Sequence, residues 1–150
     1  MSSIEIVTTE PRTAMAVRQK ARTEEIPSVM GGIFQELVPY FQKGVRCIGP
    51  PFAMYHSWSD EGTDMEVGFP ISGPGVNEGR VRTIEMPAVR AAMAVHVGPY
   101  DRLMETYERM LSWMKDNGHE PESYMWEEYL NSPEDTPPEE LMTRMYWPIK

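Results

Sequence analysis

The spacing of apolar positions changes several times along this chain, and each change marks an element. Residues 12–19 alternate, with Ala14, Ala16 and Arg18 on one side and Met15 and Val17 on the other, which is the period of a strand. Beginning at Ile26, the apolar positions Val29, Met30, Ile33, Phe34, Leu37 and Phe41 recur at helical spacing. Gly31-Gly32 weakens that helix by roughly 1 kcal/mol per glycine relative to alanine. Pro39 is expected to bend it or end it early, and Gly44 to stop it. Residues 52–58 and 65–69 read as strands around a turn at 60–63.

Two further extended segments follow, at residues 80–85 and 90–97. Gly98-Pro99 then opens a second helix, with proline near its first turn. Tyr100, Leu103, Met104, Tyr107, Leu111 and Met114 make the predicted apolar stripe, and Asp101, Glu105 and Arg109 lie at i,i+4 steps on the solvent side. Asn117-Gly118 ends the helix. Residues 124–130 and 141–147 read as two antiparallel strands joined by a proline-rich turn.

The order of elements is β-α-β-β, twice. Ala14-Met15-Ala16-Val17 returns as Ala92-Met93-Ala94-Val95, and Phe69-Pro70-Ile71 as Trp147-Pro148-Ile149, both 78 residues on. Between them the register slips to 74, pairing Tyr55 with Tyr129 and Ala53 with Glu127. This pattern reads as an old duplication. The expected fold is a single α+β domain over residues 1–150, with pseudo-twofold halves at about 1–71 and 79–149 and a joint at 72–78. The halves should form an antiparallel sheet carrying two main helices.

The closing hairpin holds the most distinctive chemistry. Strand alternation sends Glu127 and Tyr129 to one face, and Trp126, Glu128 and Leu130 to the other. Whichever face is buried, one of two adjacent carboxylates goes with it. An unpaired buried carboxylate costs several kcal/mol as an order of magnitude, so it needs a cation or a place for one. Tyr124, Trp126, Tyr129, Tyr146 and Trp147 lie in the same hairpin, and a carboxylate among aromatic faces is a receptor for an organic cation. A plain surface glutamate on an edge strand fits the spacing equally well.

Composition narrows the partners. A formal net charge of −9 over 150 residues argues against nucleic acid, which demands a surplus of Lys and Arg. The lone Cys47 excludes an internal disulfide and a cysteine-ligated zinc cluster. His56, His96 and His119 have no metal-ligand spacing, so neither metal nor cofactor is expected. No apolar run approaches the ~20 residues needed to cross a bilayer. No basic segment precedes residues 4–8 as a leader requires, so a cytoplasmic location is expected.

The tandem β-α-β-β order, the His96-Val97-Gly98-Pro99-Tyr100 step into a helix, and Trp126-Glu127-Glu128-Tyr129 followed by the Pro137-Pro138-Glu139-Glu140-Leu141 turn resemble the GyrI-like small-molecule-binding domain. The same domain is the effector-binding part of AraC-type and MerR-type bacterial transcription regulators, and the resemblance covers essentially the whole chain. It implies two pseudo-twofold halves with a pocket between them, and a strand glutamate, here Glu127, that meets cationic aromatic ligands. Some stand-alone members hydrolyse strained cyclopropane-containing toxins with an equivalent glutamate. The first half departs from the pattern, having residues 18–27 in place of a Gly-Pro-Tyr step, and the 150 residues hold no helix-turn-helix.

The expectation is therefore a stand-alone drug-binding, sequestering or effector-sensing module for small, planar, often cationic molecules. Glu127 supplies the countercharge. Tyr129 and its counterpart Tyr55 line the cleft, Trp147 and Phe69 serve as stacking walls, and Tyr100 reaches the pocket or packs in the core. Two alternatives stand beside this: a hydrolase in which Glu127 activates water, and a protein-interaction inhibitor of the gyrase-inhibitor type. No direct nucleic-acid or membrane partner is expected, and a protein partner or homodimer stays open.

Overall fold

The computed structural model describes residues 3–150, and the changes of period become elements close to their expected positions. The strands are β1 (Glu5–Thr8), β2 (Arg12–Ala21), β3 (Arg46–Cys47), β4 (Phe52–Ser59), β5 (Gly62–Ser72), β6 (Val81–Met86), β7 (Arg90–Val97), β8 (Met125–Tyr129) and β9 (Met142–Pro148). The helices are α1 (Ile26–Phe41) and α2 (Leu103–Asp116), and the fold is α+β. Among the described residues no helix is long and apolar enough to cross a membrane.

The α1 helix runs unbroken through Gly31-Gly32, because Ile33 and Leu37, one turn apart, are fully buried and pin it to the strands beneath. Pro39 sits inside its last turn without ending it, and Gly44 then takes a left-handed φ of +103°. In α2 the buried positions are Thr106, Met110 and Met114, whereas Met104 and Leu111 are exposed at 65% and 41%. The predicted stripe is thus rotated. Thr106 belongs to the inner face because a buried histidine engages its hydroxyl, an interaction that periodicity cannot register.

The chain forms two compact units, Glu10–Ala88 and Val89–Lys150, the latter joined by the N-terminal residues through Thr9. In the first, the antiparallel order is β6-β2-β5-β4, with β3 also on β5. In the second it is β1-β7-β9-β8. The two orders match element for element, with β6 and β1 in the same place. Each unit therefore takes its outer strand from the other repeat, and the compact units are offset from the repeat boundaries.

Pairing register tests the duplication residue by residue. Ala53 opposes Val67 and Tyr55 opposes Met65; in the second unit Glu127 opposes Met145 and Tyr129 opposes Thr143. Tyr55 and Tyr129 are thus true counterparts, as are Ala53 and Glu127. The alanine-methionine motif behaves differently. Met15 and Val17 oppose Phe69 and Val67, and Phe69 lies against Phe34 and Phe41 of α1. Trp147 lies against Tyr107 of α2, but it is Ala92 that opposes it. Methionine and valine face the helix in one unit, and the alanines do so in the other. A one-residue slip turns every side chain to the other face. His96 is therefore the counterpart of Gln19 and not of Arg18, the residue that the 78-residue repeat pairs with it.

Gly68 marks the tightest point of the first unit. A β-carbon there would sit 2.7 Å from Ala16 Cβ and closer still to the Met15 carbonyl oxygen. Gly31 has nothing within 4 Å of such an atom. Gly68→Ala is accordingly expected to destabilise by about 1–3 kcal/mol through overpacking. Gly31→Ala should stabilise by up to about 1 kcal/mol. Urea denaturation of the two variants checks both signs.

Candidate functional site

Alternation on β8 sorts its side chains onto two faces, and both faces are covered. Glu127 is 3% exposed and Glu128 6%. The expectation of one buried carboxylate is corrected to two. Glu128 points away from α2 and meets Arg144 directly across the β8–β9 pairing, Nε to Oε1 3.2 Å. Trp126 stacks on Tyr146 on that same face, with centroids 4.9 Å apart and planes 23° from parallel.

Glu127 points to the helix-covered face. The Tyr129 hydroxyl donates to Glu127 Oε1 at 2.7 Å, the two side chains lying one strand period apart. The Tyr100 ring stands edge-on to Tyr129, with centroids 5.8 Å apart. Burial raises the pKa of the Tyr100 hydroxyl above the ordinary tyrosine range, and the charge of Glu127 raises it further. Glu127, Tyr129 and Tyr100 therefore form one constellation.

The position of Tyr100 is held from beneath. His96 is buried on β7, with Nε2 3.1 Å from the Pro99 carbonyl and Nδ1 2.7 Å from Thr106 Oγ1. A carbonyl only accepts, so Nε2 carries the proton; in the neutral ring Nδ1 then accepts from the Thr106 hydroxyl. Arg109 donates to the same hydroxyl oxygen at 3.2 Å. Gly98 takes φ +136°, which lets the chain turn from β7 into Pro99 and the short 3-10 turn Tyr100–Arg102. A cavity of about 650 Å³ opens beside this network, lined by His96, Val97, Glu105, Thr106, Glu108 and Arg109 among others.

Two further sequence candidates, Trp147 and Phe69, pack against the helices of their own units. Trp147 is buried against Tyr107, its indole N–H donating to the Glu122 carbonyl. Phe69 packs between Phe34 and Phe41. Tyr55 is half-buried in the other unit, at the register position that matches Tyr129. Sequence reasoning missed Thr143. It is fully buried, opposes both Tyr129 and His96, and its Oγ1 has no hydrogen-bond partner among the described residues. An unsatisfied buried hydroxyl costs about 1–3 kcal/mol. Its signal was a polar residue on the buried phase of an apolar strand.

A model of the GyrI-like small molecule binding domain matches residues 2–150. No curated protein is significantly similar in sequence. Among solved structures, the EcmrR C-terminal domain superposes with a TM-score of 0.88 at 22% identity, covering 100% of this chain and 98% of that one. EcmrR in its complex with DNA gives 0.87 at 22% identity, covering 99% of this chain and 57% of that one. The chain thus spans little more than half the length of EcmrR in that complex. SAV2435 bound to tetraphenylphosphonium gives 0.72 at 11% identity, with 99% and 94% covered. A hydrolase from Listeria innocua gives 0.68 at 17% identity, with 98% and 91% covered. At these identities the likeness is one of fold.

The Tyr129–Glu127 hydrogen bond has a measurable weight. Tyr129→Phe is expected to cost about 1.5–3 kcal/mol, the range for a hydrogen bond to a charged group. In the Glu127→Gln background the same change should cost less, giving a non-zero coupling energy in a double-mutant cycle by urea denaturation. Strict additivity would mean that the hydroxyl and the carboxylate do not interact.

Proposed function

The chain belongs to the GyrI-like small molecule binding domain family, and from that premise we propose that it binds a small, planar organic cation with Glu127 as the countercharge. The observation that carries this reading is the setting of Glu127: a carboxylate 3% exposed, held by the Tyr129 hydroxyl, with the Tyr100 ring alongside. Away from water, a carboxylate attracts a cation far more strongly than at the surface. Tyrosine faces add about 0.5–2 kcal/mol for a cation placed over them. The net charge of −9 raises the local concentration of cations around the molecule. SAV2435, of similar fold, is bound to an aromatic phosphonium. A module of this kind sequesters its ligand or reports its presence to a partner.

A thermal-shift and calorimetric series tests the proposal. A planar aromatic cation at ~100 times its dissociation constant should add roughly 2.7 kcal/mol of stability, and a neutral analogue of the same shape should add much less. Glu127→Gln should abolish the difference between the two. Glu128→Gln should lower stability, because it removes the partner of a partly buried guanidinium, while leaving the preference for cations intact. The compound is expected back unchanged by chromatography. Turnover beyond one equivalent would replace binding with hydrolysis, and equal effects of the two glutamines would remove Glu127 from the site.

A further inference from the structure

The helix-covered face of β8 and β9 holds one polar group that the reading above leaves unused. Thr143 is 0% exposed and its Oγ1 has no hydrogen-bond partner among the described residues. Valine fills the same place on a buried strand with no hydroxyl to desolvate. Neighbouring side chains are already engaged. His96, opposite Thr143 on β7, directs its two ring nitrogens to Thr106 and Pro99. Tyr129, opposite it on β8, directs its hydroxyl to Glu127. Glu127 is the diagonal neighbour of Thr143 on the same face, a separation of roughly 7–8 Å between the two positions.

We propose that Thr143 is a specificity-determining contact that selects cations bearing N–H groups. This rests on Glu127 as the countercharge. In the complex the carboxylate takes the charge of a protonated primary or secondary amine, and Thr143 Oγ1 accepts one of its N–H bonds. A quaternary ammonium or phosphonium, tetraphenylphosphonium included, meets the carboxylate but leaves the threonine oxygen unpaired. The site is therefore matched to arylalkyl amines in their protonated form over permanently charged oniums.

Diphenylmethylammonium and its N,N,N-trimethyl analogue carry the same charge and the same aromatic body, and the change of their affinity ratio in Thr143 variants isolates the N–H contribution from the added methyl bulk. Calorimetry on the full chain at neutral pH should show the N–H form binding about tenfold tighter, or 1.4 kcal/mol. Thr143→Val should bring the two affinities together by weakening only the N–H form, and Thr143→Ser, which keeps the hydroxyl, should retain the preference. Circular dichroism establishes that each variant is folded. An unchanged ratio in Thr143→Val, or equal binding of both compounds by the unmodified protein, overturns the selectivity while a loss of both affinities in Glu127→Gln still upholds the countercharge. If neither compound binds, or if Glu127→Gln leaves both affinities intact, the countercharge itself fails and the selectivity falls with it.

Discussion

The register of β8 on β9 decides the chemistry of the Val89–Lys150 unit. With Glu127 opposite Met145 and Glu128 opposite Arg144, two consecutive carboxylates are sent to opposite faces and into opposite environments. A slip of one residue would set Glu127 against the guanidinium and carry Glu128 beneath α2. The two burials are different physical problems. Glu128 has an ion pair across the strands, a familiar solution for a charge out of water. Glu127 is held by a tyrosine hydroxyl on its own strand, in a wall of aromatic rings. The hydroxyl donor fixes the orientation of the carboxylate on the helix-covered face.

The aromatic side of the site depends on a second polar chain, from Arg109 through Thr106 and His96 to the Pro99 carbonyl. It ties α2 to β7 and sets the turn that presents Tyr100 to Tyr129. Buried polar networks of this sort cost little when every member is satisfied and a great deal when one is not. Thr143, one rung away, is the member left over. Its unused oxygen lies on the same face as Glu127, which makes this face the most polar part of an otherwise apolar layer.

The carboxylate of Glu127 occurs in one unit although the two units match strand for strand. Ala53 holds the register position of Glu127 in the other unit, and Tyr55 holds that of Tyr129, so the ancestral strand is legible in both copies while the carboxylate is present in one. Around β2 and β7 the copies have drifted by a residue. Once a strand slips, alanine and methionine exchange faces, and the small residues leave room under α2 for His96.

Much of this was legible in the chain itself. Period-two and helical spacing locate nearly every element, because alternation and the 3.6-residue turn are imposed locally by the backbone. They also place Glu127 and Tyr129 on one face of β8, with the twin tyrosines as a mark of the repeat. The sequence could not determine which face would be covered, since that depends on helices packed from elsewhere. Hence both glutamates proved buried, the α2 stripe turned toward Thr106, and the alanine-methionine motif took opposite faces in the two units. Strand exchange, which puts β1 beside β7 and β6 beside β2, is likewise invisible to periodicity. Local spacing determines what a segment becomes; only tertiary packing decides what each of its faces meets.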